Sequence, residues 1–247
     1  IDDGPHVDLV NLGAELIVTI NGSPYHLDKD SERETLITQR ATELHVPIGY
    51  VNQVGGQDEL VFDGGSFVVD DSGQLIARAP LFTESLLVVD IDITDRDTRV
   101  TPNISLNSST PPPQRASNQL NIVNSMTGDD ELYEALVVGT RDYCRKNGFS
   151  DVVIGLSGGI DSTLVACIAV DALGAEHVHG VAMPSRYSSD HSLSDAEALA
   201  KNLGIDMRTI SIEPAFAAYM DMLDSSFDGR QPGLTWENVQ SRCRGQI

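Results

Sequence analysis

Lysine is scarce in this chain: Lys29, Lys146 and Lys201 are the only three in 247 residues. Cations of either kind number 16 against 37 carboxylates, which leaves a formal net charge of −21. A surface this acidic repels phosphate backbones and anionic headgroups, and so argues against nucleic acid and membranes as partners. Long apolar runs are missing as well, since no stretch approaches the roughly 20 residues of a membrane span. Cysteine is sparse and odd in number: Cys144, Cys167 and Cys243 show no CxxC and no metal-ligand spacing. That pattern suits a reducing cytoplasm rather than a disulfide scaffold. The opening Ile1-Asp2-Asp3 contains neither an initiator methionine nor a signal peptide, so an excerpt of a longer protein is expected.

What is present is enough for a core: 40% of the residues are hydrophobic, and the length allows one large domain or two ordinary ones. From Val7 to about Ile93 the pattern is strand-rich. A buried strand over Glu15–Ile20 ends at the turn-forming Asn21-Gly22-Ser23-Pro24. Ser31 to Leu44 reads as a helix, with Ser31 and Glu34 in capping-box spacing. The β-runs PIGYVNQV, ELVF, SFVVD, QLIARA and LLVVDIDI follow, and Asp70-Asp71-Ser72-Gly73 between two of them signals a hairpin. Residues 94–128 change character, with alternating charges, three prolines at 111–113 and many Ser, Asn and Gln; they read as an interdomain linker.

Beyond residue 129 strands and helices alternate. Helices are expected at Asp129–Asn147, Asp161–Leu173, Ser194–Leu203 and Glu213–Leu223, and strands at Asp151–Leu156, His179–Met183 and Met207–Ile212. This alternation predicts a parallel, doubly wound α/β sheet. A last helical pattern, Thr235–Ile247, has no stop signal, and truncation at both ends is expected.

The segment Gly155-Leu156-Ser157-Gly158-Gly159-Ile160-Asp161-Ser162 joins the first of these strands to its helix. Backbone N–H groups and the positive end of a helix dipole there bind phosphate without a cationic side chain. Neither GxxxxGK[ST] nor GxGxxG is satisfied, which argues against γ-phosphoryl transfer and against a dinucleotide held in the dehydrogenase manner. Asp161 would repel an anion unless a divalent cation intervened; Mg²⁺ between its carboxylate and phosphate oxygens resolves the conflict. The plain alternative is a glycine turn with Asp161 as a helix cap.

SGGIDS resembles the signature of the ATP-pyrophosphatase (PP-loop) enzymes, which cut ATP between its α- and β-phosphates and adenylate an acceptor. The text MPSRYSS with LAKNLGI resembles NAD synthetases, and TWENVQSRCRG, residues 235–245, is similar to their ENxQxRxRG helix. The resemblance implies ATP binding by residues 155–162, magnesium at Asp161 and deamido-NAD contact by Asn238. Without it, Glu237, Gln240, Ser241 and Arg244 are a salt-linked helix surface by spacing alone.

GAELIVTINGSPYHLDK and GGQDELVFDGGSFVVD resemble the second half of a nitrilase-type amidase, in which Ser23 and Lys29 match glutamine-binding positions. An ordinary turn and a solvated cation are the alternatives for these two. The resemblance as a whole is to the glutamine-dependent NAD synthetases. It implies a partial nitrilase-like α-β-β-α domain over residues 1–93, a linker over 94–128 and a PP-loop domain over 129–247.

The implied activity is ATP-dependent amidation of deamido-NAD to NAD, with ammonia from glutamine, in a cytoplasmic homo-oligomer. Another PP-loop ligase or amidotransferase, or an inactive nucleotide-binding remnant, is the alternative. None of the three cysteines lies in the amidase part, so no catalytic nucleophile for glutamine hydrolysis is expected within these residues.

Overall fold

A computed structural model describes residues 4–93, 122–227 and 233–247, except the side chain of Asp190. The chain divides into two compact units, Ile1–Gly139 and Thr140–Ile247. The expected linker at 94–128 falls for the most part, at 94–121, outside the described residues.

The first unit opens with a short helix α1 (Pro5–Asn11), which the strand-rich pattern did not predict. Strand β1 (Ile17–Asn21), helix α2 (Lys29–Leu44) and strand β2 (Ile48–Asn52) follow, and β1 pairs with β2 in parallel. Then come β3 (Val54–Gln57), β4 (Leu60–Asp63), β5 (Phe67–Val69) and β6 (Leu75–Arg78). The main sheet has the order β1-β2-β5-β6, while β3 and β4 form a separate hairpin. Ile17, Ile48, Phe67 and Val69 from the sheet bury against Ile37 and Ala41 of α2, where apolar side chains four apart share a face.

The hairpin at 70–73 forms as expected. Asp70 accepts from Ser72 N at 2.9 Å and from Gln74 N at 2.8 Å. Burial works against its carboxylate, but these bonds, with that from the Ser72 hydroxyl, hold it below the ordinary value.

Two expectations in this unit are corrected. The capping box does not form: α2 begins two residues before Ser31, at Lys29, after Asp28 in a left-handed conformation (φ 65°). Glu34 pairs instead with Arg78 of β6. The run LLVVDIDI is not a strand, because residues 86–93 find no sheet partner among the described residues and Leu86 is 88% exposed.

Helix α3 (Asp129–Asn147) carries the chain from the first unit into the second. In the second unit β7 (Val152–Gly155), helix α4 (Ile160–Leu173), β8 (Val178–Ala182), α5 (Asp190–Leu203) and β9 (Asp206–Thr209) alternate. The three strands are parallel in the order β7-β8-β9. Val152, Ile154 and Val178 on one face of that sheet pack with Ala166 and Ala169 of α4 and Ala196 and Ala200 of α5. The small alanines let the helices approach the sheet closely.

Helix α5 is capped by Ser189, whose hydroxyl accepts from Ser192 N at 3.2 Å, and so begins four residues before the expected start at Ser194. Helices α6 (Glu213–Phe227) and α7 (Leu234–Arg244) close the unit by packing Phe216 with Ile212, Trp236 and Cys243. No helix among the described residues is long and apolar enough to cross a membrane.

Candidate functional site

In the second unit, β7 ends at Gly155 and delivers residues 156–159 to the first turn of α4, at the carboxyl end of the parallel sheet. Gly158 has φ +76°, and a Cβ there would lie 2.4 Å from the backbone oxygen of Ser192. Only glycine fits this position. The loop is knit by its own hydroxyls. Gly159 N donates to Ser157 Oγ (3.2 Å), Ser157 N to Ser162 Oγ (3.3 Å), and Ser162 Oγ and Thr163 Oγ1 donate to Gly159 O. The N-terminal end of α4 has no side-chain cap, so its remaining donors face outward.

Asp161 is exposed on the first turn of α4 and makes no ion pair among the described residues. It is not a helix cap, because Gly159 occupies the N-cap. No group of three or more His, Cys, Asp or Glu is placed to hold a metal ion there or elsewhere among the described residues. One exposed carboxylate is a donor set that fits Mg²⁺, which keeps several waters and binds through one or two carboxylates plus phosphate oxygens.

A cavity of about 360 Å³ runs from the loop beneath the end of β8, lined by Leu156, Ser157, Met183, Ser188, Ser192 and Arg244 among others. Helix α7 closes it. Arg244 Nε donates to Met183 O at 3.2 Å, and Ser185 Oγ donates to the buried Gln240 at 2.7 Å. Arg186 is drawn aside by Glu213, which accepts from its Nε at 2.6 Å and from its backbone N at 3.0 Å. That contact holds Glu213 below the ordinary carboxylate value.

Gln240 and Arg244 therefore face the strand end instead of forming a salt-linked helix surface. Asn238 lies on the same helix, exposed and outside the cavity lining. The spacing of Gln240 and Arg244, four apart on one helix face, was the available signal for their shared direction.

The opposite end of the sheet carries a different cluster. His179 bonds Asp206 and, at 3.3 Å, Asp151, which also lies 3.4 Å from His177. Asp206 first, and then Asp151, hold the His179 imidazole above its ordinary value.

In the first unit, the turn after β1 presents Ser23. Its backbone N donates to Asn52 Oδ1 at 2.9 Å, and its hydroxyl accepts from Arg33 Nε at 3.2 Å. Arg33, 6% exposed, is paired with Asp63, 0% exposed, at 2.5 Å. Lys29 stands at the start of α2, half-buried, with Nζ 3.2 Å from Glu32; no bond joins it to Ser23. Arg33, Asn52 and Asp63 went unnoticed in the sequence. A charged residue ending the apolar ELVF run ahead of two glycines was the signal for Asp63.

Tyr25, two residues past Ser23, packs edge-on against Phe82 with ring centroids 5.4 Å apart. Burial and then the neighbouring Glu131 carboxylate push its phenol up to about 12. Tyr25 OH and Glu131 Oε1 are both buried, and the two side chains meet without a well-formed hydrogen bond at either atom.

Both units have known counterparts. The model for carbon-nitrogen hydrolases matches residues 4–98 and that for NAD synthases matches residues 132–247. The chain is 46% identical to a glutamine-dependent NAD(+) synthetase of Synechocystis over 98% of its own length, which is 40% of that relative. It is 45% identical to the enzyme so named in Thermotoga maritima, over 94% of this chain and 43% of the relative.

Nearly the whole chain is thus similar to glutamine-dependent NAD(+) synthetases.

A solved structure of this family, the Acinetobacter baumannii enzyme in complex with ADP, superposes with a TM-score of 0.80 at 38% identity. It covers 97% of this chain and 42% of its own. The Cytophaga hutchinsonii synthetase, at 18% identity and TM-score 0.74, shares the fold. The chain thus spans about two fifths of the length of these family members.

Proposed function

We propose that the protein carrying this chain makes NAD by ATP-dependent amidation of deamido-NAD, using ammonia released from glutamine. The observation that carries the reading is the loop at 155–162. It offers backbone donors and a helix N-terminus over a cavity at the carboxyl end of a parallel sheet, with no lysine. Such a loop suits a departing pyrophosphate. The nicotinate carboxylate is a poor electrophile, and its adenylate gives ammonia a leaving group to displace, AMP.

Donors of Gly158, Gly159 and the first turn of α4 stabilise charge as it accumulates on pyrophosphate. Arg244 adds a fixed cation at the cavity wall. Mg²⁺ with ATP, held by Asp161, would neutralise phosphate charge. Asn238 on α7 contacts deamido-NAD, while Ser23 and Lys29 belong to the glutamine pocket. Residues 1–93 act as part of the glutaminase, 94–128 as the connector and 129–247 as part of the synthetase. The reading extends to a homo-oligomer, from the family resemblance, and to the cytoplasm, from the sparse, unpaired cysteines.

The test is product analysis on the full-length protein with ATP, Mg²⁺, deamido-NAD and either ammonium or glutamine. NAD and AMP are expected; ADP, or turnover independent of deamido-NAD, refutes the reading. Asp161→Ala should abolish both reactions, whereas Ser23→Ala should impair only the glutamine-driven one.

A further inference from the structure

Arg33 engages every nitrogen of its guanidinium inside the first unit. Nη1 pairs with Asp63 Oδ2 at 2.5 Å, and Nη2 donates to Ser23 O at 3.0 Å and Pro24 O at 3.1 Å. Nε donates to Ser23 Oγ at 3.2 Å. Asn52 completes the frame: its amide donates to Ser23 O and to Asp63 Oδ1, each at 3.2 Å, and accepts from Ser23 N at 2.9 Å.

Arg33, Asp63 and Asn52 are all buried, whereas Ser23 is half-buried and Pro24 exposed. The apparatus therefore lies beneath the turn and fixes it from inside. Ser23 N, Ser23 O and Pro24 O are all occupied. Among the polar atoms of Ser23 and Pro24, the hydroxyl keeps a proton to donate, and its oxygen already accepts from a cation.

We propose that Arg33 is a positioning residue for glutamine use, locking the Ser23 hydroxyl as a donor toward an oxygen of the amide substrate. The inference rests on the reading that Ser23 belongs to the glutamine pocket. A hydroxyl that accepts from a guanidinium is a weaker acceptor and a stronger donor, and its proton points away from the cation. It therefore selects a carboxylate or carbonyl oxygen over an ammonium group. The planar fork is essential, since Lys has one nitrogen and cannot hold Asp63, two carbonyls and a hydroxyl in a single plane.

Two substitutions in the full-length protein separate positioning from mere support. Arg33→Lys keeps a cation beside Asp63 but removes the Nε donor. The double change Arg33→Met with Asp63→Leu removes both buried charges together, which cores tolerate better than a lone unpaired charge. In each, the glutamine KM for NAD formation should rise about ten-fold or more with kcat little changed, the signature of lost binding contacts. The ammonium-driven rate is the internal control.

The deciding readout is the combination with Ser23→Ala. If Arg33 acts through Ser23, adding Arg33→Lys to Ser23→Ala raises KM no further. An unchanged glutamine KM in Arg33→Lys, or full additivity with Ser23→Ala, overturns the proposal. Should the double charge removal also abolish the ammonium reaction, Arg33→Lys decides alone. If Ser23→Ala itself leaves glutamine use intact, the placement of the pocket falls first.

Discussion

Glu131 is a carboxyl group kept almost wholly from water, 2% exposed, with one oxygen unbonded. Burial, and after it the charges of Asp28 and Asp30, raise its pKa above the ordinary 4.5. The folded chain thus holds a proton that the unfolded chain has released, and stability falls as pH climbs from 4.5 through the raised value. Glu131→Gln removes that penalty. Its melting temperature should exceed that of the parent at pH 8 and match it at pH 4, as read by thermal denaturation. A lower value at pH 8 would mean that the carboxylate is needed in its charged form. Nothing in the local sequence marks Glu131 as buried. Asp129-Asp130-Glu131 reads as a solvated acidic first turn, and only the packing of Ala135 and Val138 on Leu81 and Phe82 turns the third of them inward.

At the scale of elements, the α/β alternation after residue 129 was legible, because apolar runs of strand and helix length are separated by their own turn residues. The N-terminal half was less so. Helix α1 is seven residues long and contributes no buried residue, so it leaves little periodic trace. LLVVDIDI has strand propensity, but pairing decides strands, and that is a property of distant neighbours. Caps were the weakest point, since the serine-rich stretch 185–194 offers several candidates and only geometry selects among them. Ser189 accepts from Ser192 N, whereas Ser194 Oγ donates backwards to His191 O. Ser189→Ala should therefore cost about 1 kcal/mol of stability. Ser194→Ala should be close to neutral by denaturant titration, and the reverse ranking would place the cap at Ser194 instead. The strand-to-helix loop at 155–162 was readable because its pattern is local, eight consecutive residues. Arg33, Asn52 and Asp63 were not, since their meeting depends on α2, β2 and β4 folding over one turn.

Across the whole molecule, the excess of 37 carboxylates over 16 cations makes charge repulsion a standing cost of compactness. Raising salt from 0.01 M to 0.15 M shortens the screening length from about 30 Å to about 8 Å, below the dimensions of either unit. The melting temperature should rise over that interval and then level off. A fall would mean that attractive pairs such as Arg186–Glu213 outweigh the net repulsion.

Two hydroxyls of the 155–162 loop satisfy two of its own amides: Ser162 Oγ accepts from Ser157 N and Ser157 Oγ from Gly159 N. On the proposed function, a phosphate seated there would take over these amides by an exchange of partners, and each displaced hydroxyl would keep its proton to donate to the anion.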